Sequence, residues 1–146
     1  MKIDAQVESD VRDAITVAVK GDLPSLEGKL GKIKDGHAAV ELAVRLVYLL
    51  MVDAHSGSPT DEQVKAVAAE IARSEEWSLA TEQEAGNFLL AVMNQRGAGL
   101  ASLPGENVVM LSFVAAAHLL SSCRRDNEEW WEYLDRAEAA LESQRS

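Results

Sequence analysis

Apolar residues recur every three to four positions along most of this chain, which is the period of one face of an α-helix. In residues 4–20 this stripe consists of Val7, Val11, Ala14, Ile15, Ala18 and Val19. Gly21 follows it, and glycine commonly ends helices. The pattern predicts an amphipathic first helix that buries one face.

Two later segments, residues 37–55 and 106–123, are apolar on nearly all sides. A helix of this kind lies in the middle of a fold, because it has no polar face for solvent. We therefore expect these two segments to be the central helices, with amphipathic helices packed around them.

Two sets of polar residues have the spacing of a capping box, which closes the first turn of a helix. Thr60 is followed three residues later by Gln63, and Thr81 is followed in the same way by Glu84. The sequence therefore predicts that amphipathic helices begin after Thr60 and after Thr81.

Three further stretches complete the predicted order of elements, and residues 96–105 are the clearest loop among them. Residues 21–36 have helical spacing but contain two interior glycines, so a short weak helix and an ordered loop both remain open. Residues 96–105 are predicted to form a loop. Asp126 or Asn127 is expected to cap the last helix.

Together these segments predict an all-α fold, a compact bundle of six to seven helices in a single domain over residues 1–146. No strand pattern competes with the helical one. The order amphipathic, apolar, amphipathic occurs twice, at an offset of about 66–70 residues. Two pseudo-repeated three-helix halves are therefore one interpretation, and chance similarity of periodic helices is the other.

The charge balance restricts the classes of partner. The chain has 14 Lys and Arg residues against 24 Asp and Glu residues, which gives a net charge of −10. Binding to nucleic acid or to an anionic membrane needs the opposite sign. The balance permits a basic protein partner or mimicry of nucleic acid, and it also serves solubility alone.

The sequence shows neither a secretory leader nor an apolar run long enough to span a bilayer, so a cytoplasmic location is expected. The motifs of catalysis and metal binding are also missing. The three histidines form no HxxxH pair, and the single cysteine, Cys123, has no CxxC partner. We therefore expect no catalytic residue, no bound metal and no cofactor, and we expect Cys123 to be a small buried thiol.

Polar residues in apolar surroundings supply the first set of candidate site residues. His37, Glu41 and Arg45 follow one another at i,i+4 spacing on the first central helix, and His118 interrupts the second. If this line faces the core, Glu41 and Arg45 must pair, because a buried charge is not left alone. A structural network across the helices and a polar pocket between them are the two interpretations.

The tryptophans supply the second set. Trp130 fits the apolar stripe of the last helix, whereas Trp131 points about 100° away, towards Asp135 and Glu138. Trp77 lies in a connection between helices. Tryptophan with an acidic rim is a common composition of protein interfaces, although it also covers the edges of small cores.

These features predict a non-enzymatic protein-interaction module, such as an adaptor, an inhibitor, an immunity-type protein or a regulatory subunit. It would bind a protein partner, with homodimerisation through the apolar helices compatible with this role. The alternative is a bundle that binds a small or apolar ligand in a polar pocket between the central helices. A helical hydrolase or nuclease with an unrecognised site is a third and weaker hypothesis.

Overall fold

The computed structural model describes residues 2–144, and for residues 95–98 it describes the backbone alone. Within this range the chain forms seven α-helices and no strand, which confirms the predicted all-α bundle. The helices are α1 (Ala5–Lys20), α2 (Leu23–Gly31), α3 (Gly36–Ala54), α4 (Asp61–Ser74), α5 (Glu82–Met93), α6 (Gly105–Ser122) and α7 (Trp130–Ser143).

The two apolar helices α3 and α6 pack against each other at the centre of the bundle. Every residue from 111 to 120 of α6 is buried, so this helix is enclosed around its whole circumference over nearly three turns. Helix α1 packs on both central helices, and so do α5 and α7, while α4 lies against α5 and α6. The predicted arrangement of amphipathic helices around an apolar pair is therefore present.

Both predicted capping boxes are formed. The backbone N–H of Gln63 donates to the Thr60 hydroxyl at 3.1 Å, and the backbone N–H of Thr60 donates back to the Gln63 side-chain oxygen at 2.8 Å. Thr81 and Glu84 make the same reciprocal pair, with each bond 3.0 Å long. These bonds satisfy backbone donors that the first turn of a helix leaves without partners.

The ambiguous segment after Gly21 is a helix, α2, because Asp22 caps it and Pro24 lies in its first turn. Residues Gln95–Ser102 form a 3₁₀ helix where a loop was predicted. The predicted cap of the last helix was wrong. Glu129, not Asp126 or Asn127, is the N-cap residue of α7, and its backbone N–H donates to the Glu132 carboxylate at 2.9 Å.

The order of the helices is compatible with two similar three-helix halves. Helices α1, α3 and α4 recur in kind as α5, α6 and α7, with α2 and the 3₁₀ helix Gln95–Ser102 in corresponding connections. Descent from a duplicated three-helix unit stays a prediction.

Candidate functional site

The Trp131 face, which we define as Glu8, Arg12, Trp131, Asp135 and Glu138, joins α1 to α7. The Arg12 guanidinium lies at its centre, and its Nη2 donates to Asp135 at 2.6 Å and to Glu138 at 2.9 Å. The Glu8 carboxylate, one turn earlier on α1, is also 2.9 Å from Arg12 Nη2. In the described part of the chain, Arg12 is therefore surrounded by three acidic side chains.

Glu138 is the buried member of this face, with a side chain only 9% exposed. Burial raises the pKa of Glu138 to about 8, and the neighbouring Glu8 carboxylate adds to this shift while Arg12 opposes it. Its Oε1 accepts from Arg12, whereas Oε2 has no donor within residues 2–144. The raised pKa favours the protonated form of this carboxyl group near neutral pH.

The predicted interface residues are divided by the structure. Trp131 is 47% exposed, and Asp135, one turn further along α7, has a side chain 60% exposed. Trp130 is partly buried against the core, as its place in the apolar stripe predicted. The expectation of an acidic surface needs correction at Glu138, because burial removes that carboxyl group from the exposed rim.

Trp77 belongs to a different part of the molecule and is partly buried. It lies in a 3₁₀ turn, Glu76–Ser78, and its Nε1 donates to the Glu75 carboxylate at 2.9 Å. Its indole ring covers Gly21 at the end of α1, where φ is 75° and an added Cβ would lie 3.2 Å from the ring. Trp77 therefore packs the connection onto α1 and offers little surface to a partner.

The His118 cluster, which we define as His118, Glu70, Glu75 and Trp77, connects α6 to the end of α4. The ring of His118 is 5% exposed, with Nε2 2.8 Å from Glu70 and Nδ1 3.0 Å from Glu75. Because both nitrogens face carboxylates, the imidazolium is the form that bonds to both. The polar interruption noted in the second central helix is thus a cross-helix network.

The pKa values of this cluster move in opposite directions. Burial acts to lower the pKa of His118, but the bonds to Glu75 and Glu70 outweigh it and raise the pKa. Burial acts to raise the pKa of Glu75, but the bonds from His118 and Trp77 outweigh it and lower the pKa. A histidine held as a cation on two carboxylates has no free nitrogen for general-base catalysis.

The remaining polar candidates lie elsewhere. His37 is exposed, and Glu41 and Arg45 pair at 3.1 Å with side chains 51% and 48% exposed. The line does not face the core, so the condition for a buried pair is not met. Their line lies on the outer side of α3. The pair lies on the rim of an open groove of about 630 Å³, which we call the α3–α7 groove. The groove is lined by Glu41, Val44, Arg45, Tyr48, Leu49, Val92, Leu141 and Gln144. His118 is not part of it.

A further polar group, missed by the sequence analysis, joins the ends of α3 and α7. The Tyr133 hydroxyl donates to Asp53 at 2.5 Å, and burial together with this bond raises the pKa of Tyr133. Arg136 lies 4.3 Å above the Tyr133 ring and donates two hydrogen bonds to Glu128. These bonds lower the pKa of Glu128 to about 2. Tyr133 and Asp53 are 80 positions apart in the sequence, so the periodicity of apolar residues could not have revealed their contact.

Candidate chemistry at other positions is sparse. The described residues contain no group of three or more His, Cys, Asp and Glu side chains placed to hold a metal ion. Cys123 is partly buried, and burial raises the pKa of its thiol, which disfavours a reactive thiolate. No helix in the described range is long and apolar enough to cross a bilayer.

In comparisons with known proteins, no family model, curated protein or solved structure matches this chain. A function is therefore inferred from the Trp131 face, the His118 cluster and the α3–α7 groove themselves.

Proposed function

We propose that this protein is a non-enzymatic interaction module that binds a basic protein partner through the Trp131 face. The observation that carries the proposal is the exposure of Trp131, at 47%, one turn from an exposed Asp135 on the same helix. Tryptophan is among the residues most enriched at the energetic centres of interfaces, because its large ring loses water on contact.

The charge of the chain supports a basic partner. A net charge of −10 repels nucleic acid and attracts positively charged protein surfaces, which accelerates encounter with them. The Trp131 face adds a local excess of acidic side chains over cations, since within residues 2–144 it is Arg12 that pairs with Glu8, Asp135 and Glu138. A cytoplasmic location and a role as an adaptor, inhibitor or regulatory subunit are parts of the same proposal.

Affinity capture from native lysate tests the proposal, with light scattering first to measure self-association. Trp131→Ala is the test variant and Tyr48→Ala the matched control, since Tyr48 is also an exposed aromatic residue, at 41%, but lies on α3. We expect wild type and Tyr48→Ala to retain the same partner and Trp131→Ala to lose it. A partner, or a homodimer, that forms equally well with Trp131→Ala would refute the proposal.

The α3–α7 groove favours a second candidate, a site for a small amphiphilic ligand. Its volume of about 630 Å³ is within the range of ligand pockets, and it combines an apolar floor with the Glu41–Arg45 pair and Tyr48 at its rim. Native mass spectrometry of the purified protein tests this candidate. A retained molecule that is lost in Tyr48→Ala and kept in Trp131→Ala supports ligand binding, and an unliganded mass in both variants and in wild type argues against it.

A further inference from the structure

The Trp131 face has more carboxylates than its own cation can balance. With Glu8, Asp135 and Glu138 all ionised, the single guanidinium of Arg12 would leave two negative charges between α1 and α7. Nearby like charges disfavour the ionised form of a carboxyl group, and burial adds to this effect. The face therefore needs a second cation or a proton.

The position of this second positive charge is marked by Glu138. Its side chain is nine-tenths buried, and its Oε2 has no hydrogen-bond donor in the described part of the chain. The carboxyl group that neighbours it is Glu8. A buried carboxylate oxygen without a donor is strongly unfavourable, which favours a proton shared between the Glu138 and Glu8 carboxyl groups.

The outer side of the same face offers a place for an external cation. Asp135 bonds to Arg12 through Oδ1, and its side chain is 60% exposed, so its carboxylate is accessible from solvent. Trp131 lies one helical turn before it, and residues at i,i+4 spacing are neighbours on a helix surface. An aromatic face beside a carboxylate is the combination that a guanidinium group fits, by stacking on the ring and bonding to the oxygens.

We propose that the Trp131 face receives an arginine side chain of a basic protein partner, and that its binding releases the proton held between Glu8 and Glu138. This inference rests on the proposed function and deepens it, because it names the chemistry of the partner and a regulation by pH. Arginine is favoured over lysine because only its planar guanidinium both stacks and forms paired hydrogen bonds.

The coupling follows from distance and charge. Asp135 and Glu138 are neighbours at i,i+3 spacing on α7, so a cation bound at Asp135 lies within about one helical turn of the Glu138 carboxyl group. Its positive charge stabilises the ionised form of Glu138, and the proton leaves to solvent. Binding consequently becomes tighter as the pH rises through the range in which Glu138 loses its proton.

The charged groups that act most strongly on Glu138 come from α1 and α7. From α1 these are Arg12 and Glu8, and from α7 itself Asp135. The two central helices also pack on α7, but Asp53 of α3 bonds to Tyr133 and lies near Arg136.

On α6, His118 bonds to the carboxylates of Glu70 and Glu75, as described above. The proton that is released in our proposal therefore comes from Glu138 and not from His118.

Isothermal titration calorimetry with a capped hexa-arginine peptide tests the proposal at pH 8 in two buffers of different ionisation enthalpy. The difference in heat between the buffers gives the number of protons released. We expect about 0.2–0.5 of a proton for each peptide bound to wild type, and none for Glu138→Gln, which has no proton to lose. Circular dichroism spectra of the variants serve as the control that each one is folded.

Affinity measurements with the same peptide locate the site. We expect Trp131→Ala to weaken binding by roughly three- to tenfold, through loss of the cation–π contact. Asp135→Asn should weaken binding by more than Glu27→Gln, a control that removes one exposed negative charge from α2. A capped hexa-lysine peptide should bind more weakly than hexa-arginine, because an ammonium group lacks the stacking surface.

The possible outcomes separate this inference from the proposed function. Binding that requires Trp131 and Asp135 but gives equal heat in both buffers overturns the proton coupling and leaves the proposed function standing. Equal losses in Asp135→Asn and Glu27→Gln, or no binding of the arginine peptide at all, overturn the arginine site. Capture of a protein partner that depends on Trp131 would still support the proposed function in that case.

Discussion

Replacing His118 by Gln removes the cation that holds α4 and the Trp77 turn against α6. The His118 ring is 5% exposed and bonds to Glu70 and Glu75 at 2.8 and 3.0 Å. Hydrogen bonds to charged groups contribute about 1.5–3 kcal/mol each. Glu70 is 44% exposed, so solvent screens its share, and burial of the ring offsets part of the remainder. We expect His118→Gln to lower the free energy of unfolding by about 1–3 kcal/mol near pH 6.

The pH dependence of that loss distinguishes an ionic cluster from simple packing. The pKa of His118 is raised in the folded protein, so its contribution is complete below the unfolded value of 6.5 and declines as the pH rises through the folded pKa. The pKa of Glu75 is lowered, so its contribution is complete above 4.5 and declines as the pH falls through its folded pKa. The cluster should therefore stabilise the fold most between about pH 4.5 and 6.5.

Urea unfolding followed by tryptophan fluorescence, at a series of pH values from about 5 to 9, measures this dependence. The difference between wild type and His118→Gln should be largest near pH 6 and should shrink at alkaline pH. His37→Gln is the matched control, because His37 is exposed, and it should follow the wild-type curve. If the wild-type and His118→Gln curves stay parallel over the whole range, the ring is not held as a cation and the reasoning is refuted.

Three further variants test other parts of the fold by the same unfolding assay. Glu138→Gln should raise the free energy of unfolding by about 1–3 kcal/mol at pH 7. The reason is that the raised pKa of Glu138 makes wild type lose stability as the pH rises from 4.5 to about 8. A difference in stability between the variant and wild type that does not grow with pH would contradict this. Gly21→Ala should cost about 1–3 kcal/mol and change the Trp77 emission, because φ is 75° and the added Cβ would lie 3.2 Å from the indole; unchanged stability would show that the turn relaxes freely. Thr60→Ala should cost about 1 kcal/mol through loss of the α4 cap, whereas Thr60→Ser should cost much less.

The capping boxes and the two central helices could be predicted because the information is local. Thr60 with Gln63 and Thr81 with Glu84 act within one helical turn, so three-residue spacing is sufficient to find them. The cap of α7 was predicted wrongly because Glu129 is a less common cap than Asp or Asn, and its bond depends on the exact entry of the chain.

The candidate site could be predicted only in part. The sequence singled out Trp131 and Asp135, but it assigned Glu138 to the same exposed rim, because spacing alone cannot show which side of a helix a neighbouring helix covers. Arg12 was not predicted as its partner, since the two residues are 126 positions apart. Glu41 and Arg45 were placed together correctly, at i,i+4, whereas only the structure shows that their line faces solvent.

The sequence by itself determined the helical class, most helix starts and the central position of the apolar helices, because periodicity, caps and solvent exclusion act locally along the chain. The tertiary structure alone decided which charges are brought together: Arg12 with three carboxylates, and His118 with two. The physical reason is that the ionisation of a side chain depends on its burial and on its neighbours in space. Those neighbours come from helices far apart in sequence.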